Sequence, residues 1–247
     1  MSYCFIIPNY NHVHCIDQVI NELAEFNFPI VMVNDASSNE ATQLFNSLEN
    51  KYQRLTVIHH KENQGKGGAV QTGLFYAHEK GFDYAIQVDA DGQHCLDDIH
   101  RLLSESKKHP NTLISGKPVY DESVPKHRYW ARYITHFWVM VETLSLKLAD
   151  TMCGFRVYPV KPCVELFNDI NLGKRMDFDI EVLVRLYWRG VSIRFISTKV
   201  IYPENGISHF KALEDNVRIS WMHTRLFFGM LWRSPMLIGR NIKSCLK

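Results

Sequence analysis

The chain has 247 residues, of which 46% are hydrophobic and 22% are charged, proportions that are ordinary for a globular protein with a sizeable core. Its formal net charge of +2 is too small to indicate a protein that binds nucleic acid. The six cysteines are scattered without a CxxC pair, which is typical of reduced thiols in a cytosolic protein. Because the sequence has neither a signal peptide nor an apolar stretch long enough to span a bilayer, we expect a cytoplasmic protein, soluble or peripheral on a membrane.

The first half of the chain alternates between strand patterns and helix patterns. Short apolar runs predict four strands, at Tyr3–Ile7, Ile30–Asn34, Leu55–His59 and Tyr84–Val88. The segments between them place apolar residues at helical spacing, and Ser37–Glu40 has the form of a capping box that opens the second helix. Strands that alternate with helices favour right-handed crossovers and a mostly parallel sheet. The sequence therefore predicts an α/β fold.

The second half extends this pattern with longer helices. We predict a helix over Asp97–His109, a strand over Thr112–Ser115, a long helix over Arg128–Leu148, an acidic helix start at Asp177–Glu181 and a strand over Val191–Ser197. The long helix carries an apolar stripe that we interpret as core, with a membrane-facing or acceptor-facing role left open: Trp130, Ile134, Phe137, Val141, Leu144 and Leu148. We interpret residues 1–215 as one domain and residues 216–247 as a helical extension.

The C-terminal extension is both apolar and basic. Its Ser220–Arg233 segment is apolar almost all round, and Pro235 is expected to separate it from a last short helix. No acidic residue follows Asp215, whereas six arginines and lysines do. Such a segment suits an interfacial helix on an anionic membrane, and a helix docked on the sheet or a homodimer seam is the alternative.

Two carboxylates one residue apart follow the fourth predicted strand. Asp89 and Asp91 come directly after Tyr84–Val88, so both belong at the carboxyl edge of the sheet, where open α/β sheets bind ligands. Paired carboxylates of this kind suit a hard divalent cation that also holds a diphosphate. An EF-hand is excluded because its third acidic ligand and its glycine at the sixth loop position are missing. A zinc site is disfavoured because no Cys/His quartet has the required spacing.

Other loops near this edge offer polar groups with more than one interpretation. Asp35 follows the second strand and could accept hydrogen bonds from a base or ribose, or simply neighbour a helix N-cap. The glycine-rich turn Asn63–Ala69 could bring backbone N–H groups close to an anion, although it is neither a Walker loop nor a GxGxxG motif. Arg156 follows a glycine turn and could hold a phosphate. Asp177–Glu181 could supply a catalytic base or only complement a helix dipole.

Five segments, in their order along the chain, resemble the family 2 glycosyltransferases of GT-A fold, in particular the branch that includes dolichol-phosphate mannosyltransferases. They are Ile7–Asn11, Val33–Ser37, Asn63–Ala69, Val88–His94 and Cys153–Arg156. The resemblance implies a GT-A-type nucleotide-binding α/β/α sandwich with a mostly parallel sheet and a helical C-terminal extension. It also implies an inverting transfer of a sugar from a UDP- or GDP-sugar with the help of Mg²⁺ or Mn²⁺.

The resemblance assigns roles to individual residues. Those expected to hold the sugar donor are Pro8, Tyr10, Asp35, Gly65, Lys66, Asp89 and Lys117. Those expected to ligate the metal are Asp89, Asp91 and Gln93. Those expected to act in catalysis are Asp91, Arg156, Asp179 and Glu181.

The acceptor segment departs from the family pattern. Ser208 and His209 are the residues expected there, but Pro203 and His209 stand where polyprenyl-phosphate enzymes carry Arg and Lys. An acceptor phosphate would therefore meet fewer cations than in those enzymes. We expect a lipid or glycan acceptor that is lipid-linked or associated with a membrane. The alternatives are a soluble or protein acceptor, or a non-catalytic scaffold that binds nucleotide-sugars.

Overall fold

The computed structural model describes residues 1–119, 126–199 and 211–245. Seven strands lie within these ranges: β1 (Tyr3–Asn9), β2 (Ile30–Asn34), β3 (Leu55–His59), β4 (Tyr84–Gln87), β5 (Thr112–Val119), β6 (Arg156–Pro159) and β7 (Ser192–Lys199). They form one sheet in the order β3-β2-β1-β4-β6-β5-β7, in which every strand except β6 runs in the same direction. The sheet is therefore mostly parallel, as the sequence predicts.

Helices cover both faces of this sheet. Those in the described ranges are α1 (Ile16–Ala24), α2 (Asn39–Lys51), α3 (Lys66–Glu79), α4 (Ile99–Lys108), α5 (Lys126–Thr143), α6 (Val160–Asp169), α7 (Phe178–Trp188) and α8 (Ala212–Cys245). The apolar faces of α1, α2 and α4 pack on one side of the sheet, and those of α3, α6 and α7 pack on the other. This three-layer sandwich confirms the predicted fold class.

Alternate residues of the central strand β1 supply the two layers of the core. Phe5 packs in the cluster that contains Ile20 of α1, whereas Ile6 packs in the cluster that contains Leu74 of α3. All of these side chains are fully buried. Because β1 is buried on both faces, its sequence is a continuous apolar run, which is why the strand is recognisable without an alternating pattern.

β1 extends two residues past its predicted end and includes Pro8. Its pairing with β4 stops at Ile6 and Gln87, whereas its pairing with β2 continues to Asn9 and Asn34. Pro8 follows the end of the β4 ladder, so its missing N–H removes no hydrogen bond there. The extension carries the loop after Asn9 to the carboxyl edge of the sheet.

Two elements, β6 and α6, were not predicted. β6 has only four residues and begins with Arg156, so it gives no clear strand pattern. It is nevertheless inserted between β4 and β5 and is antiparallel to both. Its pairing, rather than its own sequence, defines it as a strand.

Two predicted helix boundaries are wrong. The N-cap of α2 is Ser38, whose Oγ accepts a hydrogen bond from the Ala41 N–H at 3.3 Å, so Ser37–Glu40 is not the capping box. α5 ends at Thr143 instead of continuing to Leu148. The following residue, Leu144, has a φ of 50°, a left-handed conformation that takes the chain out of the helix.

The C-terminal helix is continuous, which contradicts the predicted break at Pro235. α8 runs over 34 residues with Pro235 inside it. Contacts hold it on both sides of the proline: Met230 and Leu237 are buried against α5 and α7, and Arg240 Nη1 donates to the Tyr187 carbonyl at 2.7 Å. This packing compensates for the hydrogen bond that proline removes. α8 begins at Ala212, and the division of the chain into residues 1–215 and 216–247 stays a prediction.

The apolar stripe of α5 is only partly core. Ile134 is 62% exposed and Phe137 is 60% exposed, so the core interpretation is wrong for both. Val139 is buried against α7 and α8, and Leu148 beyond the helix is buried as expected. The side chain of Trp130 lies outside the described residues. Within the described ranges, no helix has the length and apolar character needed to cross a membrane.

Candidate active site

The carboxyl ends of the parallel strands and the amino end of β6 meet at one edge of the sheet. Gln87, the last residue of β4, pairs with Arg156, the first residue of β6, because these two strands are antiparallel. The loop of residues 150–155, which precedes β6, therefore reaches the same edge as Asp89 and Asp91, which follow β4. Segments that lie far apart in the sequence are brought together here.

A lysine lies between two carboxylates at this edge. Lys66 Nζ is 2.7 Å from Asp89 Oδ2 and 3.3 Å from Asp179 Oδ2. Burial by itself lowers the pKa of Lys66, but Asp179 and Asp89 outweigh it and raise this pKa above its usual range. Burial likewise acts to raise the pKa of Asp89, yet Lys66 and His94 lower that pKa well below its usual range. Both groups are therefore charged at neutral pH.

A chain of buried hydrogen bonds holds Asp89 from the other side. Gln87 Nε2 donates to Asp89 Oδ1 at 3.1 Å, and Tyr158 OH donates to Gln87 Oε1 at 3.1 Å. Arg156 Nη1 donates in turn to Tyr158 OH at 3.2 Å. Sequence reasoning missed Gln87 and Tyr158. The available signal was a glutamine inside a buried apolar strand, because a buried amide needs hydrogen-bond partners.

The guanidinium of Arg156 is fully buried. Its Nη1 donates to the Asp179 carbonyl and its Nη2 to the Thr151 carbonyl, both at 2.8 Å. In this geometry both nitrogens donate to protein atoms, and the predicted contact of Arg156 with a phosphate stays a prediction. Arg156 joins the loop of residues 150–155 to the first turn of α7.

Of the acidic residues predicted to act in catalysis on α7, Asp179 reaches the Lys66 cluster and Glu181 does not. The Glu181 carboxylate is fully buried and accepts hydrogen bonds from the Gly173 N–H and from Arg185 Nε, both at 2.8 Å. It also lies 3.4 Å from Arg225 Nη2 of α8. The side chain thus ties α7 to its neighbours, and the predicted catalytic role of Glu181 stays a prediction.

Asp35 anchors the glycine-rich turn. Its Oδ1 accepts the Gln64 N–H at 2.8 Å, and its Oδ2 accepts the Gly65 N–H at 2.7 Å. His60 Nδ1 lies 2.8 Å from Oδ1, a contact that the sequence did not indicate. The Gly65 amide is thus bonded to Asp35, and the predicted contact of Gly65 with the donor stays a prediction. The predicted contact of Asp35 with a nucleotide stays a prediction.

The glycines of this turn are required by packing. A Cβ on Gly65 would collide with Arg175, and a Cβ on Gly67 would collide with Phe178. Gly65 also has a φ of +90°, which side-chain-bearing residues rarely adopt. These contacts bring the start of α3 against residues 174–178, and this accounts for the glycines without any ligand.

The loop of residues 150–155 packs closely against Lys66 and Asp89. Asp150 shapes the loop, because its Oδ1 accepts the N–H groups of Met152 and Cys153 at 2.9 Å. A Cβ on Gly154 would lie 2.6 Å from Lys66 Nζ and 3.0 Å from Asp89 Oδ2. Only a glycine at this position therefore allows the loop to approach Lys66 and Asp89 so closely.

The other predicted site residues have simpler positions. Pro8 lies near the carboxyl end of β1, Tyr10 follows that strand and is half-buried, and Lys117 is exposed toward the carboxyl end of β5. Asp91 and Gln93 are half-buried, and the Gln93 N–H donates to Asp91 Oδ1 at 3.0 Å. The predicted acceptor residues Ser208 and His209 lie outside the described residues.

A groove of about 450 Å³ lies between α5 and α8. Its walls are mainly apolar, and its lining includes Ile134, Trp138, Met152, Ile219, His223 and Phe227. His223 Nδ1 lies 2.7 Å from Oε1 of the buried Glu142, whose pKa is raised by burial. Met152 belongs to the loop that also carries Gly154, so the groove and the carboxylate cluster share this loop.

Sequence comparison identifies the family that carries this arrangement. Residues 4–167, which are more than half of the chain, match the family described as "Glycosyl transferase family 2". The chain belongs to this family. The predicted recognition is thereby confirmed, and the enzyme class is that of the glycosyltransferases.

Relatives and solved structures agree with this family. The chain is 27% identical over 242 residues to "UDP-N-acetylglucosamine--dolichyl-phosphate N-acetylglucosaminyltransferase" of Methanococcus voltae, covering 92% of this chain and 93% of the relative. It is also 27% identical to "Dolichyl-phosphate beta-glucosyltransferase" of Dictyostelium discoideum, covering 72% of this chain but only 60% of that relative. The structure of glucosyl-3-phosphoglycerate synthase from Mycobacterium tuberculosis with Mn²⁺ and UDP-glucose superposes with a TM-score of 0.65 at 12% identity, covering 93% of this chain and 78% of the other. At that identity the likeness shows the GT-A fold alone.

The carboxylates of this family 2 protein fit a cation that arrives with a nucleotide. Within the described part of the chain, no three His, Cys, Asp or Glu side chains converge to hold a metal ion by themselves. Asp89 and Asp91 offer carboxylate oxygens, and Gln93 lies beside them. Mg²⁺ and similar hard cations are commonly bound by one or two carboxylates together with substrate phosphates and water. The residues present therefore fit a metal–diphosphate complex better than an isolated metal ion.

Proposed function

We propose that this protein is an inverting, divalent-metal-dependent glycosyltransferase that transfers a sugar from a UDP-sugar to a lipid-linked acceptor at a membrane surface. The observation that carries the proposal is the loop of residues 150–155. Through Gly154 it flanks the Lys66–Asp89–Asp179 cluster, and through Met152 it lines the apolar groove. A site for a charged donor and a site for an apolar chain thus share one wall.

The donor is expected to bind through charge. The leaving group is a nucleoside diphosphate, and a cation on Asp89 and Asp91 would neutralise the charge that develops as the sugar departs. Asp89 is oriented for this by Gln87, and Lys66 adds a positive charge next to it. The UDP moiety is favoured because the Methanococcus voltae relative is named for a UDP-sugar, and GDP is the alternative that the binding experiment includes.

The acceptor decides what Asp179 must do. Asp179 Oδ1 has no hydrogen-bond partner, although Arg156 Nη1 lies 3.7 Å away, and Asp179 is the carboxylate that we assign to accept the proton of an acceptor hydroxyl. An acceptor phosphate is already anionic and needs only to be positioned. Lys117, which the resemblance assigns to the sugar donor, is exposed toward the same edge. The groove between α5 and α8 would hold the apolar chain of the acceptor in either case.

Calorimetry of nucleotide binding tests the donor half of the proposal. We expect UDP to bind in the presence of Mn²⁺ and to bind much more weakly without it, because the diphosphate would otherwise face Asp89, Asp91 and Asp179 unscreened. GDP measured in parallel identifies the base that is preferred. If neither nucleotide binds with Mn²⁺, the proposed donor site is wrong.

Transfer of a labelled sugar tests the acceptor half. UDP-N-acetylglucosamine and UDP-glucose are incubated with dolichyl phosphate in detergent, and the label that enters the organic phase is measured. We expect label to move from water to the lipid. Hydrolysis of the donor without any lipid-linked label would instead favour a soluble or protein acceptor.

The exposed face of α8 supports contact with a membrane. Trp221 is 62% exposed, Phe228 is 64% exposed and Trp232 is 88% exposed, and these three side chains lie on the face opposite the buried Met222 and Met230. Exposed apolar residues on one face of a basic helix are the pattern of an interfacial helix. The same helix lines the acceptor groove, so an acceptor lipid could enter the groove from the bilayer.

Flotation with vesicles tests this contact. We expect the protein to float with vesicles containing phosphatidylserine, less so at high salt, and Trp221→Ser combined with Trp232→Ser to weaken binding by at least about tenfold because two interfacial aromatic side chains are lost. The control is Phe75→Ser, which removes an aromatic residue that is 41% exposed on α3, on another face of the protein.

The outcome also decides between a membrane and a dimer. If the intact protein does not float but sediments as a dimer that the double variant converts to a monomer, the α8 face is a homodimer seam. Flotation that both tryptophan substitutions leave unchanged would remove α8 from the membrane contact.

A further inference from the structure

Lys66 already pairs with a carboxylate that would hold a cation. Its Nζ is 2.7 Å from Asp89 Oδ2, so a divalent cation bound to Asp89 would lie close to the ammonium group and be repelled by it. The same nitrogen is 3.3 Å from Asp179 Oδ2, so one ammonium pairs with two carboxylates of the cluster, and Arg156 Nη1 lies 3.7 Å from the other oxygen of Asp179. Lys66 is the first residue of α3, directly after the turn that Asp35 anchors.

The side chains that contact Asp89 differ in how easily they can move away from its carboxylate. Gln87 holds Oδ1 through the buried chain to Tyr158 and Arg156, and all three of those side chains are fully buried. Lys66 holds Oδ2 with a long flexible side chain that is 21% exposed. Gly154 packs against its Nζ, where a Cβ would lie only 2.6 Å away. His94 Nε2 also lies 3.4 Å from Asp89 Oδ2. Asp89 is therefore still held by Gln87 and His94 when the ammonium moves.

We propose that Lys66 is a placeholder for the metal: its ammonium pairs with Asp89 and Asp179 while the site is empty, and a metal–nucleotide complex displaces it toward the diphosphate. The inference rests on the proposed donor site and adds an order of binding, in which the metal and the nucleotide bind together. The metal alone must compete with Lys66, whereas the metal–diphosphate complex brings a new anionic partner for the displaced ammonium. The metal therefore binds weakly by itself and tightly with the nucleotide.

If the metal–nucleotide complex displaces Lys66, one substitution should change the affinity for Mn²⁺ alone and the affinity for UDP in opposite directions. In Lys66→Gln the ammonium is gone but an amide can still donate to Asp89. We expect Mn²⁺ alone to bind about tenfold more tightly, because no positive charge competes with it, and UDP in the presence of Mn²⁺ to bind about tenfold more weakly, because a charge-assisted hydrogen bond to the diphosphate is lost. Free Mn²⁺ is measured by electron paramagnetic resonance, and UDP binding by calorimetry.

Two further variants test whether removal of the ammonium group causes the change in Mn²⁺ affinity. Lys66→Arg keeps a positive charge in a bulkier group, so Mn²⁺ alone should bind no more tightly than to the wild type. Lys61→Gln removes an exposed lysine of the same loop, and both affinities should stay at wild-type values. The gain in Mn²⁺ affinity is thus expected only where the ammonium beside Asp89 has been removed.

The results separate this inference from the proposed function. If the wild type binds UDP with Mn²⁺ but Lys66→Gln leaves the affinity for Mn²⁺ alone unchanged or lowers it, Lys66 is a structural ion-pair partner and the placeholder role is wrong. If the wild type itself binds no nucleotide with Mn²⁺, the proposed donor site is wrong and the exchange fails with it.

Discussion

Substitution of Asp91 by asparagine is expected to abolish the metal-dependent part of nucleotide binding. Asp91 is half-buried and accepts the Gln93 N–H through Oδ1, so an asparagine oxygen can keep this turn while the negative charge is lost. We expect UDP affinity in Mn²⁺ to fall to the value measured without metal, and kcat/KM for sugar transfer to fall by about 10²–10³, the loss that accompanies removal of one group that stabilises developing charge.

The matched control for this substitution is Asp97→Asn. Asp97 is an exposed carboxylate a few residues further along the same loop, so the change in net charge is identical. Calorimetry should give it wild-type affinity for UDP in Mn²⁺, and a thermal melt of both variants checks that each is folded. Metal-dependent UDP binding that survives in Asp91→Asn within a factor of about two, less than 0.5 kcal/mol, would remove Asp91 from the metal site.

The sheet and the carboxylate pair could be predicted because their signals are local. The apolar runs of β1 and β2 are continuous, since both strands are buried on both faces. Asp89 and Asp91 follow such a run directly, and the end of a parallel strand defines which edge of the sheet they occupy. No distant contact is needed for either inference.

The directions of polar side chains could not be predicted because distant elements decide them. Asp179 and Glu181 are two residues apart on one helix, which turns their side chains about 200° away from each other. Which of the two faces the cleft depends on how α7 docks between the sheet and α8. In the structure Asp179 approaches Lys66, and Glu181 is buried against Arg185 and Gly173.

The role of Arg156 depended in the same way on a strand that the sequence does not reveal. Arg156 opens β6, and the pairing of this short strand with β4 directs the guanidinium into the protein, toward Tyr158 and Thr151. A glycine followed by an arginine is equally compatible with a phosphate contact at a surface. Only the antiparallel insertion of β6 between β4 and β5 distinguishes the two possibilities.

The apolar residues of α5 and α8 illustrate a further limit of pattern reasoning. Both helices carry apolar side chains on more than one face, and the sequence cannot say which face is covered. In the structure Val139 and Leu226 are buried together, whereas Phe137 and Trp232 are exposed. The covered and uncovered faces are defined by where α8 docks, a contact between residues far apart in the chain.

Substitution of Arg156 by leucine is expected to lower the free energy of unfolding by about 3–5 kcal/mol, the cost of removing one partner from a buried charged network. The buried carbonyls of Thr151 and Asp179 and the hydroxyl of Tyr158 would lose their donor. Because the chain of hydrogen bonds through Tyr158 orients Asp89, UDP affinity in Mn²⁺ should fall as well. Urea denaturation measures the first effect, and calorimetry below the transition measures the second.

The control for this substitution is Arg189→Leu. Urea denaturation and calorimetry together distinguish a positioning role of Arg156 from a direct contact with the diphosphate. Arg189 also bonds an aspartate, Asp169 at 2.6 Å, but that carboxylate is 64% exposed, so we expect the urea midpoint to stay close to the wild-type value. If Arg156→Leu keeps the wild-type midpoint but loses UDP binding, the guanidinium must reach the diphosphate after a movement of the loop of residues 150–155. A lower midpoint together with weaker UDP binding, by contrast, is what a buried positioning residue requires, since the same hydrogen bonds both stabilise the fold and orient Asp89.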